Sequence, residues 1–190
     1  PAMPRTFVLG VDHALNLGEV EIPSLLPEGS FTLRGHSIGG YGSVTTNKLL
    51  ATLIPELLGG DVRAWAEYGS EKKGLPTRYF LTASPTRSFV HASPTSIDYL
   101  VVTDRNALGN LATLAGVAKG AVVLVQADAQ NPQIDAGFAR AVAERGARLY
   151  ACDMAAIARR LAPSGDLVVR MQGVVLLGAF LKTSPKVEAA

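Results

Sequence analysis

Apolar positions along this chain occur in two patterns, as continuous runs and as a recurrence at every third or fourth residue. Each pattern predicts one kind of element. Continuous apolar runs at residues 97–102 and 121–125 are typical of strands that are buried on both faces of a sheet. Short strands are also predicted at residues 31–33, 61–66, 78–82 and 147–152. Apolar residues at every third or fourth position predict helices at 44–58, 106–115, 134–145, 154–161 and 166–181, with Asp153 capping the fourth.

The order of these elements is that of repeated βαβ units. Such units place helices on both faces of a sheet whose strands mostly run the same way. The predicted fold class is therefore α/β, a three-layer α/β/α sandwich with a largely parallel, or mixed, sheet. Residues 1–29 carry four prolines and a short apolar piece at Phe7-Val8-Leu9, which predicts an N-terminal arm or linker. A globular domain is expected over residues 30–183, followed by a C-terminal tail at 184–190.

Composition excludes several classes of protein. At 190 residues with 48% hydrophobic positions, the chain can bury one sizeable core. A net charge of +2 gives no reason to expect nucleic-acid binding, and no apolar run is long enough to span a membrane. The single Cys152 excludes a disulfide framework and a cysteine-ligated iron–sulfur cluster within the chain, and we expect it to pack as a small hydrophobe. A cytoplasmic location is expected.

The glycine-rich stretch at residues 34–43 allows two interpretations. Read as G-x-S-x-G, it would be the nucleophile elbow of a serine hydrolase, with Ser37 as the nucleophile. Too few residues precede Ser37 to build the strands that such an enzyme places before its elbow. His91 is the only histidine downstream, and no acidic residue between the two stands at a suitable strand end. The required context is missing, so the hydrolase interpretation is rejected.

The second interpretation is a backbone-lined loop between a strand and a helix, which can bind an anion or a cofactor. Ligands of such folds lie at the carboxyl ends of the strands, where Asp104 and residues 126–128 are also expected. The spacing fits neither a dinucleotide fingerprint nor a Walker A loop, because Thr45 and Asn47 stand where each needs glycine. A plain tight turn remains an alternative. The candidate cofactor-binding residues are Gly35, His36, Ser37, Ile38, Gly39, Gly40, Tyr41 and Gly42.

Four segments in order resemble the gamma subunit, or gamma domain, of the thiamine-dependent 2-oxoacid:ferredoxin oxidoreductases. Residues 38–43 (IGGYGS) are similar to that family's glycine loop, with Tyr41 where glutamine is common. Residues 68–74 (YGSEKKG) are similar to a Y-G-x-E-x-R-G segment. The strand ending at Asp104 and the C-terminal stretch 171–179 (MQGVVLLGA) complete the resemblance, which covers about residues 30–183.

The resemblance implies a non-catalytic component of a complex that converts a 2-oxoacid to acyl-CoA by oxidative decarboxylation. Thiamine diphosphate, magnesium, iron–sulfur clusters and coenzyme A are implied for the whole complex, none of them held by this chain alone. The implied partners are the alpha and beta subunits or domains and, indirectly, ferredoxin or flavodoxin. A homodimer of the isolated domain is left open. The residues implied to face partner subunits are Tyr68, Glu71, Lys72, Lys73 and Gly74.

A second hypothesis is a free-standing α/β module that binds a nucleotide or coenzyme A without partners. The two hypotheses differ in what the isolated chain does. A gamma component would be inactive alone and would need its partners, whereas a free-standing module would bind its ligand by itself.

Overall fold

A single sheet in the order β2-β3-β1-β4-β5-β6 organises the computed structural model, which describes residues 25–39, 43–68, 74–128 and 130–188. The strands are β1 (Phe31–Ile38), β2 (Asp61–Tyr68), β3 (Pro76–Ser84), β4 (Ile97–Val102), β5 (Val117–Gln126) and β6 (Arg148–Cys152). The helices are α1 (Ser43–Leu58), α2 (Arg105–Leu108), α3 (Ala136–Glu144), α4 (Met154–Leu161), α5 (Val168–Thr183) and α6 (Pro185–Glu188). The described residues also form 3-10 turns at Leu111–Leu114 and Gly165–Leu167.

The sheet is mostly parallel with one reversed strand. β1, β4, β5 and β6 pair in parallel, one after the other. β3 pairs antiparallel with both β1 and β2, so β2 runs in the same direction as β1. The predicted α/β class with a largely parallel, mixed sheet is confirmed.

Helices cover both faces of the sheet and bury a hydrophobic cluster against each. On the first face, α1, α4 and α5 pack on side chains such as Leu33, Tyr79 and Tyr99. The ring of Phe180 in α5 meets Tyr99 edge-on, with 5.0 Å between ring centroids. On the second face, α2 and α3 cover the apolar residues of β4 and β5, with Phe138 fully buried. These two clusters account for the predicted three layers.

Aspartate caps fix where the helices on the carboxyl side begin. Asp153 accepts a hydrogen bond from the amide of Ala156 at 2.9 Å, as the sequence predicts for the start of α4. Asp135 caps α3 in the same way through the amide of Phe138 at 2.8 Å. Each cap satisfies an amide that the first helical turn leaves without an intrahelical partner.

Several predicted elements were wrong in extent, among them β5, which begins at Val117 and not at residue 121. β1 continues to Ile38, so Gly35, His36, Ser37 and Ile38 belong to the strand and not to a loop. The reason is strand pairing, because β3 holds all four residues in register and β4 also holds Gly35 and His36, although glycine has a low strand propensity. The predicted helix at 106–115 breaks after Leu108, where Asn110 caps a separate 3-10 turn.

The C-terminal residues pack on the domain. α6 lies within the predicted tail, and Val187 contacts the first core cluster. The ammonium group of Lys186 donates to the carbonyl of Gly29 at 3.0 Å, which joins this segment to the residues just before β1. Most of the predicted arm, residues 1–24, lies outside the described residues, and the boundaries of arm and tail stay predictions. No helix in the described ranges is long and apolar enough to cross a membrane.

Candidate functional site at the carboxyl edge of the sheet

The ends of β1 and β4 are joined through the carbonyl of His36. The amide of Thr103 donates to that oxygen at 2.8 Å, and the Thr103 hydroxyl donates to it at 3.2 Å. The amide of Asp104 also points to it at 3.3 Å. The chain that leaves β4 therefore wraps over the end of β1, as expected for adjacent parallel strands.

Most of the polar side chains expected at this edge accept hydrogen bonds from nearby backbone amides. Asp104 is buried and accepts from the amide of Asn106 at 2.9 Å, which caps α2. Gln126 accepts from the amide of Met154 at 2.9 Å and so ties the end of β5 to the start of α4. Asp128 accepts from the amide of Gln130 at 2.8 Å within a turn. The predicted placement at one edge is correct for these residues, but these contacts are structural.

A small cavity of about 20 Å³ lies on the first face, beneath the end of β1. It has room for about one water molecule. Its lining residues come from β1, from the chain just after β4 and from three helices. They are Ser37, Thr46, Thr103, Met154, Gln172, Gly173 and Leu176.

Ser37 has none of the surroundings of a nucleophile. It is 1% exposed and paired with Thr77 of β3, and within the described ranges its hydroxyl donates only to the carbonyl of Ile38, at 3.5 Å. A nucleophile elbow instead exposes its serine on a sharp turn between strand and helix. His91 lies beside Arg63 of β2. Across the paired strands, Arg63 lies in the same row of the sheet as Thr32 of β1. That row is five positions from Ser37, or about 16 Å along the strand. The hydrolase interpretation stays rejected.

Gly35 is required by the packing of a tyrosine. It is the direct cross-strand partner of Tyr79, and a Cβ at Gly35 would fall inside the Tyr79 ring. Tyr79 is fully buried, and burial raises the pKa of its hydroxyl well above the usual range. The missing side chain at Gly35 therefore leaves space for the Tyr79 ring to lie across β1. The sequence analysis instead expected this glycine to lie in a loop or turn.

The two predicted site segments leave the sheet next to one another. The amide of Gly39 donates to the carbonyl of Leu75 at 2.8 Å, and the amide of Gly74 donates to the carbonyl of Gly39 at 3.1 Å. Tyr68 ends β2 opposite Thr77. The remaining candidates, Gly40, Tyr41 and Gly42 on one side and Glu71, Lys72 and Lys73 on the other, lie outside the described residues.

His36 points to the second face of the sheet, away from the small cavity. It lies opposite Arg78 across the β1–β3 pair, and Arg34 is on the same side of β1. Burial, followed by the charges of Arg34 and Arg78, lowers the pKa of the His36 imidazole to about 4. The sequence interpretation did not single out either arginine. The period of two along β1 was the signal that could have grouped Arg34 with His36.

Cys152 and the acidic residues show no metal site in the described part of the chain. Cys152 is half-buried and packs against the first core cluster, as predicted. Burial, together with Asp153, raises the pKa of its thiol. The described ranges bring no three histidine, cysteine or acidic side chains together as metal ligands.

Comparison with known proteins places this architecture among subunits of one enzyme family. Pyruvate synthase subunit PorC of Thermotoga maritima is 28% identical over 163 residues, which cover 82% of this chain and 81% of that protein. The crystal structure of pyruvate oxidoreductase subunit PORC from the same organism superposes with a TM-score of 0.62 at 24% identity, covering 83% of this chain and 78% of that one.

Two further solved structures share the fold. The gamma subunit of a keto/oxoacid ferredoxin oxidoreductase from Geobacter sulfurreducens has a TM-score of 0.55 at 17% identity, with 83% and 78% coverage. The 2-oxoglutarate:ferredoxin oxidoreductase of Magnetococcus marinus, solved with 2-oxoglutarate, coenzyme A and succinyl-CoA bound, has a TM-score of 0.59 at 15% identity. The match covers 84% of this chain but 26% of that longer one.

The family model described as pyruvate ferredoxin/flavodoxin oxidoreductase matches residues 32–189. That span begins inside β1 and ends after α6, so it takes in all six strands and both helical layers. The chain belongs to the pyruvate ferredoxin/flavodoxin oxidoreductase family.

Proposed function

We propose that this chain is the gamma component of a 2-oxoacid:ferredoxin or flavodoxin oxidoreductase. Its role is to support the oxidative decarboxylation of a 2-oxoacid to acyl-CoA by packing beside subunits that carry the chemistry. The observation that carries this proposal is the family match over residues 32–189, the whole sheet and its helices. The alternative, a free-standing nucleotide- or coenzyme A-binding module, finds no support in the proteins that this chain resembles.

The cofactors of the reaction belong to the partner subunits in this proposal. One cysteine cannot supply the thiolates that an iron–sulfur cluster needs, and the sequence contains no thiamine diphosphate motif. Thiamine diphosphate, magnesium and the clusters therefore lie on the alpha and beta components. Ferredoxin or flavodoxin reaches the complex through those components.

The surface that faces the partners is proposed to lie around Gly39 and Gly74. The backbone hydrogen bonds between residues 39 and 74–75 put Gly39, which begins the glycine segment, beside Gly74, which ends the segment at 68–74. A positive pair, Lys72 and Lys73, stands in one segment, and helix α1 begins directly after the other. Unpaired amides at the start of a helix favour a negatively charged group, such as a phosphate of coenzyme A or a carboxylate of a partner.

Reconstitution tests the proposed function. The chain, its alpha and beta partners, and all three together are assayed for 2-oxoacid-dependent reduction of ferredoxin with coenzyme A. We expect the chain alone to be inactive and free of iron, and full turnover to require all three components. Full turnover without this chain would overturn the proposal, and tight coenzyme A binding by the chain alone would favour the alternative.

Charge reversal tests the proposed partner surface. Replacing both lysines, Lys72→Glu with Lys73→Glu, is expected to weaken assembly by about tenfold or more while the melting temperature of the isolated chain stays unchanged. Lys119→Glu with Arg148→Glu is the matched control, because both residues are exposed near the starts of β5 and β6, towards the opposite edge of the sheet. Equal effects of both changes would show that net charge, and not this surface, governs assembly.

Gly40→Val tests the glycine segment itself. We expect it to reduce assembly or coenzyme A-dependent turnover far more than it lowers the melting temperature of the isolated chain. A loss of folding with unchanged activity per assembled complex would show that the segment serves packing alone.

We also propose a cytoplasmic location, supported by the absence of any disulfide partner for Cys152 within the sequence. Fractionation of cells with an antibody to the chain tests it. Homodimerisation of the isolated chain remains a separate proposal, and its molar mass in solution decides it.

A further inference from the structure

Three basic side chains gather on the second face of the sheet, where β1 lies beside β3. His36 and Arg78 are direct partners across the β1–β3 pair. Arg34 precedes His36 by two positions and so projects from the same face. On the outer side of β3, Glu67 of β2 is the partner of Arg78. With His36 neutral, these four side chains carry two positive charges and one negative charge.

Backbone carbonyls hold the Arg34 guanidinium in place, and its Nε–H makes no hydrogen bond to a described residue. Its Nη2 donates to the carbonyls of Thr113 and Ala115, each at 2.7 Å, in the segment between α2 and β5. Its Nε is buried and makes no hydrogen bond to any described residue. The ion pairs found among the described residues involve Arg63 and Arg78, so no carboxylate there balances the charge of Arg34.

His36 brings a second buried nitrogen without a partner. Its Nε2 is buried and forms no hydrogen bond within the described ranges. Burial and the two neighbouring guanidinium groups keep its pKa near 4, so the ring is neutral at pH 7. A neutral imidazole still offers one N–H donor and one acceptor nitrogen. The surroundings penalise a further positive charge, and they would favour a negative one.

Arg78 is the exposed member of the cluster. Its side chain is 58% exposed and pairs with Glu67 at 2.8 Å, and Glu67 also accepts from the hydroxyl of Ser93 at 3.1 Å. An exposed pair of this kind is weak, so the Arg78 guanidinium can turn toward a ligand while Glu67 keeps its hydroxyl partner. In the neighbouring row, Trp65 stacks on Phe80 with 5.3 Å between ring centroids, which forms an apolar wall beside Arg34.

We propose that Arg34, His36 and Arg78 form a binding site for a phosphoryl group on this face of the sheet. Two guanidinium groups and an imidazole N–H are donors that suit a tetrahedral dianion. A bound phosphoryl group gives partners to the two buried nitrogens and offsets the repulsion between the arginines. This inference does not depend on the proposed role in an oxidoreductase, because every residue of the site lies in this chain.

The test uses the isolated chain with inorganic pyrophosphate as the probe. The imidazole resonances of His36 are followed by NMR across pH, with and without pyrophosphate, at an ionic strength held constant with sodium chloride. We expect a saturable rise of about one unit or more in the pKa of His36. The resonances of His91, on the exposed loop before β4, are the internal reference and should not follow that saturation.

Two arginine variants distinguish a specific binding site from non-specific electrostatic attraction of pyrophosphate. Arg78→Gln is expected to weaken pyrophosphate binding by about tenfold or more in calorimetry and to abolish the saturable change at His36. Arg87→Gln, which removes an exposed arginine on the same loop as His91, should leave both unchanged. An equal loss in the two variants, or a His36 response that sodium chloride reproduces, would overturn the proposal.

A carboxylate probe decides the chemical class. Acetate and succinate at the same ionic strength should shift the His36 resonances far less than pyrophosphate. If they bind as well as pyrophosphate, the assignment to phosphoryl groups is wrong.

Discussion

The carbonyl of Gly39 accepts a hydrogen bond from the amide of Gly74 at 3.1 Å. Gly39 follows β1, and Gly74 precedes β3, so this bond extends the β1–β3 ladder beyond its last strand pair, Ile38 with Pro76. The geometry exists because β2 runs in the same direction as β1 and the chain then turns back into β3. Two segments that are far apart in sequence thereby reach one edge of the sheet together.

The close contact of Gly35 with Tyr79 predicts a large cost for a single methyl group. Gly35→Ala is expected to lower the free energy of unfolding by about 2–3 kcal/mol, because the ring or β1 must shift. Gly178→Ala is the matched control, since Gly178 lies in α5 with open space at its Cβ position. It should raise the free energy by about 0.5–1 kcal/mol. Urea unfolding measures both, and equal effects would contradict the packing argument.

Tyr79 and Tyr99 should differ in how their replacement by phenylalanine changes the stability of the protein. The Tyr79 hydroxyl oxygen is buried without a partner in the described residues, so Tyr79→Phe should leave stability unchanged or raise it by about 1 kcal/mol. Tyr99 shares a 2.6 Å hydrogen bond with Thr183, and Tyr99→Phe should cost about 1 kcal/mol. Thermal unfolding of both variants checks this. A larger loss for Tyr79→Phe than for Tyr99→Phe would show that the Tyr79 hydroxyl has a partner.

Burial of Ser37 predicts that it is chemically inert. Ser37→Ala should change the free energy of unfolding by less than about 1 kcal/mol, because its hydroxyl makes one long contact with the described residues. The unaltered protein should show no esterase activity and no labelling by a fluorophosphonate probe. Stoichiometric labelling of Ser37, located by mass spectrometry, would restore the hydrolase interpretation.

The lowered pKa of His36 predicts a loss of stability in acid. The folded imidazole titrates near 4, whereas the reference value for the unfolded chain is 6.5, so the unfolded state takes up the proton first as pH falls. The contribution is complete above pH 6.5 and declines between about pH 6.5 and 4, by roughly 3 kcal/mol. Unfolding free energies of the protein and of His36→Gln, measured across this range, should differ in slope.

Other groups also titrate in that range, so a second histidine variant serves as the control. His91→Gln is the comparison, because it removes the other histidine of the described residues, exposed on a loop, and leaves His36 in place. A His36→Gln variant with an unchanged slope would show that His36 titrates normally in the folded state.

How much of the fold the sequence predicts depends on how local the determining interactions are. The bounds of β4 and α4 were predicted correctly, because a continuous apolar run and the Asp153 cap are properties of adjacent residues. The extent of β1 was not predicted. Gly35, His36 and Ser37 resemble a loop in isolation, and only pairing with β3 and β4 keeps them extended. The reversal of β3 likewise depends on which strands it meets.

The same limit applies to the candidate site. The sequence placed the end of β1, Asp104 and Gln126 at one edge of the sheet, where the structure also has them, because the carboxyl ends of parallel strands meet there by a general rule. It did not lead to the pairing of His36 with Arg78, since strand register joins residues that are distant in sequence. A sequence pattern can indicate which face a residue occupies, but not which residue of another strand lies opposite.

The central position of β1 has a consequence for how the chain folds. β2 and β3 form a local hairpin, and β4 to β6 form successive βαβ units, whereas β1 joins the two halves through contacts such as Thr32 with Asp98, 66 residues apart. Closing so long a loop is slow compared with forming either half. Docking of β1 should therefore limit the folding rate, and substitutions in β1 should slow folding more than those in β6. Until β1 docks, both halves expose a strand edge, which makes this the stage at which the nascent chain is most prone to aggregate.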